Sequence, residues 1–394
     1  MTALNKIAAL AATVFFLSSC QKETQKETQI ESDAVAAKNG IPAATLALGK
    51  ESEEEPGANR VYSLSNQVSG NKVLEFARAA NGVISYNTAY ATGGTGTGGG
   101  LGNQGALILG EDEETLLAVN PGSNSISLFK ISENGLSLKS TVGSGGTKPV
   151  SITMHHNLVY VLNAGGTGNI SGFNMDDDML IPIPNSSRPL SSPAAGAAEI
   201  AFVNEGKVVV VTEKATNKII TYTIKESGVP AAMHSISSST PTPFGFDAGR
   251  NGKIFVSEAA GGAPGASKLS SYQVNYDGSI SLITGSVGAN QSAACWVVIT
   301  ENGKYAYTTN TGSNNLSSFN INKNSGAINV NTPIASTTGA GPIDAALSSN
   351  SKNLYILNAG SHSISVYSVA TNGNLTSIQL LPGLPVGATG LASK

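Results

Sequence analysis

Five charged side chains are the strongest candidates for chemistry in this 394-residue chain. Four are carboxylates, Glu199, Glu213, Glu258 and Asp344, and the fifth is Lys148. A carboxylate can accept or donate a proton, and a lysine can hold an anionic substrate or stabilise a developing negative charge. Whether they can act together depends on the elements that carry them.

The chain repeats one phrase, and that phrase predicts the fold. It is a strand, a tight Asn/Gly/Ser turn and an alternating strand that closes on Phe or Tyr, clearest at residues 354–367. Successive closing aromatics are 44 to 53 residues apart, which fits a four-stranded propeller blade. The seven closing residues are Phe76, Phe129, Phe173, Tyr222, Tyr272, Phe319 and Tyr367.

The first copy has no preceding strand, whereas residues 385–392 resemble a preceding strand without a blade. We therefore predict an all-β fold over residues 60–394, a seven-bladed β-propeller of four-stranded antiparallel blades. The C-terminal strand completes the N-terminal blade, which removes the open sheet edges that invite aggregation.

In such blades the turns between strands 2 and 3 share one face with the blade-to-blade linkers. This face surrounds the channel mouth, where a ligand is expected. Glu213 and Lys148 are the candidate catalytic pair there, and the candidate ligand-binding residues are Glu199, Glu258, Asp344, Asn163 and Asn310. The alternative is structural: the asparagines, with Asn120 and Asn358, cap turns, and the glutamates are solvated turn residues. His155 and His156 fall on the opposite face.

The repeat resembles the YVTN/lactonase-type seven-bladed propellers, which include 6-phosphogluconolactonase-like and carboxymuconate-cyclase-like enzymes. The likeness covers residues 61–394. By that resemblance Glu213 matches a catalytic glutamate. A His-Pro-His segment reads Lys148-Pro149-Val150 here, an arginine segment reads residues 197–199, and an Asn-Arg phrase reads Asn310-Thr311. One carboxylate is kept, whereas the histidines and arginines are lost.

Acting on an anionic lactone requires positive groups, and only Lys148 remains at those positions. The four carboxylates are expected to make the mouth acidic and to repel anions. The leading prediction is therefore a catalytically diverged propeller that binds a protein, a glycan or a small molecule. The alternative is a lactonase-type hydrolase or cyclase centred on Glu213 and Lys148.

The N-terminal residues indicate export and anchoring. Residues 1–19 contain a short apolar run typical of a signal peptide, and LSSC ending at Cys20 resembles a lipobox. We expect Cys20 to carry lipid and residues 20–59 to form a polar stalk. This predicts a monomeric lipoprotein of the bacterial cell envelope, at the outer membrane, whose lipid contacts the membrane.

Other classes of site find little support in the sequence. A net charge of −3 without a basic stripe argues against nucleic-acid binding. Glycine-rich residues 91–105 lack the ending of a phosphate loop and read as a mobile linker between blades. No calcium loop follows residues 176–178, no GxSxG occurs, and the four histidines suggest no zinc set. We expect no cofactor and no metal.

Overall fold

The computed structural model describes residues 59–394, which form 29 β-strands and one short 3-10 turn, Ala260–Gly262. The predicted signal peptide, the lipidated Cys20 and almost all of the stalk lie outside these residues. Within the described part, no helix is long and apolar enough to cross a membrane.

The strands form seven antiparallel sheets, each a blade, and this confirms the predicted seven-bladed β-propeller. Blade 1 contains β1 (Arg60–Leu64), β2 (Lys72–Arg78) and β3 (Ile84–Ala91), and blade 2 contains β4 (Leu107–Leu109), β5 (Thr115–Asn120), β6 (Ser125–Ser132) and β7 (Gly135–Gly143). Blade 3 contains β8 (Pro149–His155), β9 (Leu158–Asn163), β10 (Asn169–Asp176), β11 (Met179–Pro182) and β12 (Arg188–Pro189). Blade 4 contains β13 (Ala197–Val203), β14 (Val208–Glu213), β15 (Lys218–Ile224) and β16 (Pro230–Ser237).

The remaining blades follow the same order. Blade 5 contains β17 (Pro243–Ala248), β18 (Lys253–Glu258), β19 (Lys268–Val274) and β20 (Ile280–Gly288). Blade 6 contains β21 (Ala294–Ile299), β22 (Tyr305–Asn310), β23 (Asn315–Ile321) and β24 (Ile328–Thr337). Blade 7 contains β25 (Pro342–Leu347), β26 (Asn353–Asn358), β27 (Ser363–Val369) and β28 (Leu375–Pro382), and β29 (Thr389–Ser393) ends the chain.

The closing aromatics of the repeat lie in the third strand of each blade and are buried between neighbouring sheets. None of the seven is more than 2% exposed. Tyrosines of the second strands add links on the face opposite the mouth, where Tyr307 Oη donates to Gly373 O at 2.8 Å in the next blade. Gly373 has a φ of 78° and a Cβ there would lie 2.5 Å from the Tyr305 ring, so only glycine fits this turn.

The C-terminal strand closes the ring, as predicted. β29 pairs antiparallel with β1, with Val61 opposite Ser393 and Tyr62 opposite Ala392. It occupies the innermost position of blade 1, the place that a blade's own first strand takes in blades 2 to 7. The two ends of the ring are therefore joined by a ladder of backbone hydrogen bonds.

The first strand of each blade has one edge that faces the central channel, where no further strand pairs with it. Side chains of the preceding blade satisfy several of these edge donors. Ser151 accepts from Ile200 N at 3.1 Å, and Glu199 accepts from Phe246 N at 2.6 Å. Asp247 accepts from Ile299 N at 2.7 Å. Because unpaired buried N–H groups are costly, these bonds hold adjacent blades in register.

Removing residues 384–394 should destabilise the propeller, because β1 then loses its partner and blade 1 loses its inner strand. We expect a lower melting temperature or loss of the cooperative transition in circular dichroism. A synthetic peptide of residues 384–394, but not a scrambled peptide, should restore stability. A truncated protein that is fully native and as stable as the parent would contradict ring closure by β29.

Candidate functional site

The face predicted to surround the channel mouth carries the expected residues. Glu213 ends β14 at a turn between second and third strands, and Lys148 directly precedes β8 in a blade-to-blade linker. His155 ends β8 and His156 follows it, in a turn between first and second strands on the other face. The predicted separation of the histidines from Glu213 follows from this topology.

Glu213 is fully buried rather than solvated, so the solvated-turn alternative is wrong for this residue. One carboxylate oxygen accepts from Ser191 N at 2.9 Å, and the other accepts from the hydroxyls of Ser191 and Thr216. Ser191 belongs to the linker between blades 3 and 4. The side chain therefore fastens that linker to its own turn, and both of its oxygens are occupied.

Glu258 occupies the same repeat position in blade 5 and is also fully buried, again not a solvated residue. It accepts hydrogen bonds from Ser270 Oγ at 2.8 Å and Tyr272 Oη at 2.9 Å. Burial raises the pKa of this carboxyl above its usual value, and the hydroxyl donors oppose that shift. Thr240, in the linker between blades 4 and 5, also donates to this carboxylate, so Glu258 fastens that linker to blade 5.

The asparagines at this repeat position bond to a serine of the third strand. Asn163 Nδ2 donates to Ser171 Oγ at 3.1 Å, and Asn310 Nδ2 donates to Ser317 Oγ at 2.8 Å. Asn120 and Asn358 make the same bond, at 2.7 and 2.9 Å. The side chains are buried, which fits the turn-capping alternative, and the ligand-binding role of Asn163 and Asn310 stays a prediction.

Glu199 and Asp344 lie in the channel wall and not on an exposed rim, so the expectation of an acidic mouth is corrected. They are 5% and 3% exposed. Burial raises the pKa of both carboxyls well above their usual values. Asp247, a neighbour that the sequence did not single out, has a pKa raised to about 6 by burial. These acids serve the blade-to-blade hydrogen bonds of the inner strands.

The glycine-rich linker is not mobile throughout, because its end is fixed inside the channel. We call residues 101–105 the channel segment. Asn103 Nδ2 donates to Val150 O in blade 3, and Trp296 Nε1 of blade 6 donates to Asn103 O at 2.9 Å. Gln104 accepts from Val297 N at 3.0 Å and donates back to Val297 O at 2.8 Å. Its side-chain amide thus pairs with the open edge of β21 as a strand would.

Two lysines lie together at the mouth, above the channel segment. Lys214 Nζ donates to Gly102 O and lies 4.7 Å from the centroid of the Phe244 ring. Burial and, to a smaller extent, the positive charge of nearby Lys148 together lower the pKa of Lys214 to about 8. Lys148 itself is exposed. Among residues 59–394, no ion pair joins Lys148 to Glu213.

Lys214 is a candidate that sequence reasoning missed, although the repeat contains a signal for it. In most copies of the repeat the second strand ends on Asn or Glu. The residue directly after it is uncharged in five copies, namely Pro121, Ala164, Ala259, Thr311 and Ala359. Only blade 4 places a cation there. Comparing the copies position by position would have found it.

A second cluster lies on the opposite face, where the sequence suggested no metal-ligating set. Glu111, His155 and His156 can each offer one ligand atom within 4.8 Å of the others. Glu111 is in the turn between β4 and β5, so its approach to the histidines depends on the packing of blade 2 against blade 3. Sequence spacing contains no sign of that contact.

Residues 269–389 match the family model described as Lactonase, 7-bladed beta-propeller. The predicted resemblance to the lactonase-type propellers is confirmed. No curated protein matches the chain. The match covers the third strand of blade 5 through the start of β29, and the same blade architecture extends over the rest of the described residues.

Solved structures show the same fold at low sequence identity. A putative 6-phosphogluconolactonase from Bacteroides fragilis is 14% identical with a TM-score of 0.67, covering 87% of this chain and 100% of its own. One from Bacteroides uniformis is 17% identical with a TM-score of 0.66, covering 84% and 99%. A periplasmic gluconolactonase from Pseudomonas aeruginosa is 14% identical with a TM-score of 0.65, covering 84% and 99%.

Glu213→Gln should lower the free energy of unfolding by about 1–3 kcal/mol, because the amide cannot accept all three buried hydrogen bonds. Urea unfolding followed by circular dichroism measures the loss. Glu226→Gln is the matched control, since Glu226 is exposed in the next turn of blade 4. Equal stability of Glu213→Gln and the parent would contradict the fastening role of Glu213.

Proposed function

We propose that the protein is a lactonase-type hydrolase that acts on a small anionic lactone at the channel mouth. The observation that carries the proposal is the pair of Lys148 and Lys214 beside the channel segment. The sequence argued against an anionic substrate because it predicted an acidic mouth with only one cation. With the carboxylates buried and two lysines present, the electrostatic argument favours an anion instead.

The two lysines suit different tasks. Lys148 is exposed and can hold the carboxylate or phosphate of a substrate through a charge-assisted bond. Lys214 has a pKa of about 8, so a fraction of its amine is neutral near neutral pH. A group that titrates close to the working pH is an effective general base. This replaces Glu213 as the proton acceptor, because the oxygens of Glu213 are already occupied.

In the proposed reaction the Lys214 amine takes a proton from a water that attacks the lactone carbonyl. The acyl C–O bond of the ring breaks, and the Lys214 ammonium returns its proton to the ring oxygen, which becomes a hydroxyl. The products are the open hydroxy acid and the regenerated amine. Lys148 keeps the anionic group of the substrate at the mouth throughout.

A second candidate is binding without turnover, and one observation favours it. The channel segment contacts Lys214, because Gly102 O already accepts a hydrogen bond from Lys214 Nζ. If Lys214 stays protonated, the pair only holds an anion, which is part of a protein, a glycan or a small molecule. The candidates predict opposite responses to pH.

Hydrolysis of a panel of phosphorylated and unphosphorylated aldonolactones tests the proposal. For catalysis by Lys214, kcat/KM should rise as pH increases to about 8, because the neutral amine becomes more abundant. Lys214→Met should lower kcat by roughly 100-fold or more. Lys148→Met should raise KM roughly tenfold with a smaller effect on kcat. Lys352→Met, in a turn on the other face, should change neither.

Binding without turnover would give a different pattern. No lactone would be hydrolysed, and the affinity for an aldonate, measured by calorimetry, would fall as pH rises through about 8. Turnover that survives Lys214→Met but disappears in a correctly folded Glu213→Gln would contradict the role given to Lys214.

We further propose that Cys20 is acylated and anchors the propeller in the cell envelope. The LSSC phrase before a polar segment supports this. In cells fed labelled palmitate, the full chain should incorporate label and fractionate with membranes. Cys20→Ser should abolish both, whereas Cys295→Ser, the matched control, should keep the label. Label retained by Cys20→Ser would overturn the proposal.

A further inference from the structure

The face opposite the mouth carries three side chains with the donor set of a transition-metal site. His155 Nδ1 lies 2.6 Å from Glu111 Oε1, and His156 Nδ1 lies 3.4 Å from Glu111 Oε2. The two imidazole rings are 4.2 Å apart between centroids. One ligand atom from each residue can therefore meet a single ion.

The backbone explains how two consecutive histidines reach the same point. Neighbouring residues of an extended strand point to opposite faces of the sheet. His155 ends β8, but His156 has a φ of 49°, in the left-handed region, and this bends the chain so that both rings lie on one side. The turn conformation thus brings the two imidazole rings together, which an extended strand would prevent.

His155 is held in place without an ion. Its ring packs 6.1 Å from the Phe202 ring, measured between centroids. A Cβ at Gly206 would lie 2.1 Å from His155 Cδ2, so the absence of a side chain there lets the imidazole pack against the backbone of blade 4. The side chain of His155 is 21% exposed, whereas that of His156 is 79% exposed. The site therefore has one fixed ligand and an open side.

We propose that Glu111, His155 and His156 bind one divalent transition-metal ion of the zinc class. Two imidazoles and one carboxylate are borderline ligands that suit zinc, whereas calcium and magnesium prefer oxygen alone. Three protein ligands leave a coordination position for water or a small ligand. That position borders a groove of about 550 Å³ between blades 3 and 4, lined in part by Lys207 and Lys225.

The ion would also join two blades. Glu111 comes from blade 2, and both histidines come from blade 3. A ligand that binds only the folded state stabilises that state. Zinc binding should therefore raise the melting temperature of the propeller. The effect is independent of the lysines at the mouth and of any lactone.

The test uses the full chain without a polyhistidine tag, stripped with EDTA and titrated with zinc chloride in a calorimeter. We expect one zinc ion per chain, and cobalt should give a ligand-field spectrum that shows imidazole ligands. His156→Ala and Glu111→Gln should each weaken zinc binding at least tenfold, roughly as for the loss of ligand-shell groups elsewhere. Both variants should lose the zinc-dependent rise in melting temperature.

His234→Ala is the matched control, because His234 is exposed on β16 in another blade. It should bind zinc as the parent does. Circular dichroism of the stripped variants should match that of the stripped parent, since Glu111 and His156 are exposed. Absence of saturable zinc binding, binding unchanged in His156→Ala and Glu111→Gln, or equal binding of magnesium would overturn the proposal.

Discussion

The inner edge of each blade is the constraint on which the rest of this propeller depends. Seven first strands surround one channel, and each presents backbone donors that no further strand can pair. Glu199 and Asp247 accept from the next blade, and the Gln104 amide pairs with Val297. Because these bonds are buried, each must be made for the ring to be stable. Ring closure by β29 pairs β1 and gives blade 1 its own first strand, whose inner edge also faces the channel.

This constraint explains why the carboxylates that the sequence singles out are buried and hydrogen-bonded. A carboxylate can carry a proton in catalysis or accept hydrogen bonds from backbone N–H groups. In the channel wall the carboxylates accept such bonds. Glu213 and Glu258 play a comparable part at the turns, where they bond to hydroxyls of nearby residues. Because these carboxylates are buried, they do not form the exposed acidic rim that the sequence suggested. Lys148 is exposed at the mouth, and Lys214 lies beside the channel segment.

The fold could be predicted from the sequence because its signal repeats. The closing aromatics recur at blade spacing and are all buried, and the orphan strand at the C-terminus completes blade 1. The channel segment could not be predicted, because no local sequence signal indicates that the Gln104 side chain takes the place of a pairing strand on the far side of the channel. The contact of Glu111 with His155 joins residues 44 positions apart in different blades. Such contacts depend on how neighbouring blades pack against each other, whereas the repeat specifies only the strands within each blade.

Glu213 and Lys214 are consecutive residues, yet the first has a structural role and the second is the proposed chemical group. Side chains of consecutive residues at the end of a strand point in opposite directions. Glu213 therefore reaches Ser191 and Thr216, whereas Lys214 extends across Phe244 to the carbonyl of Gly102. The buried carboxylate fixes the turn, and the fixed turn aims the lysine at the channel. The glutamate that resembles a catalytic residue thus fixes the turn from which Lys214, the general base of our proposal, extends.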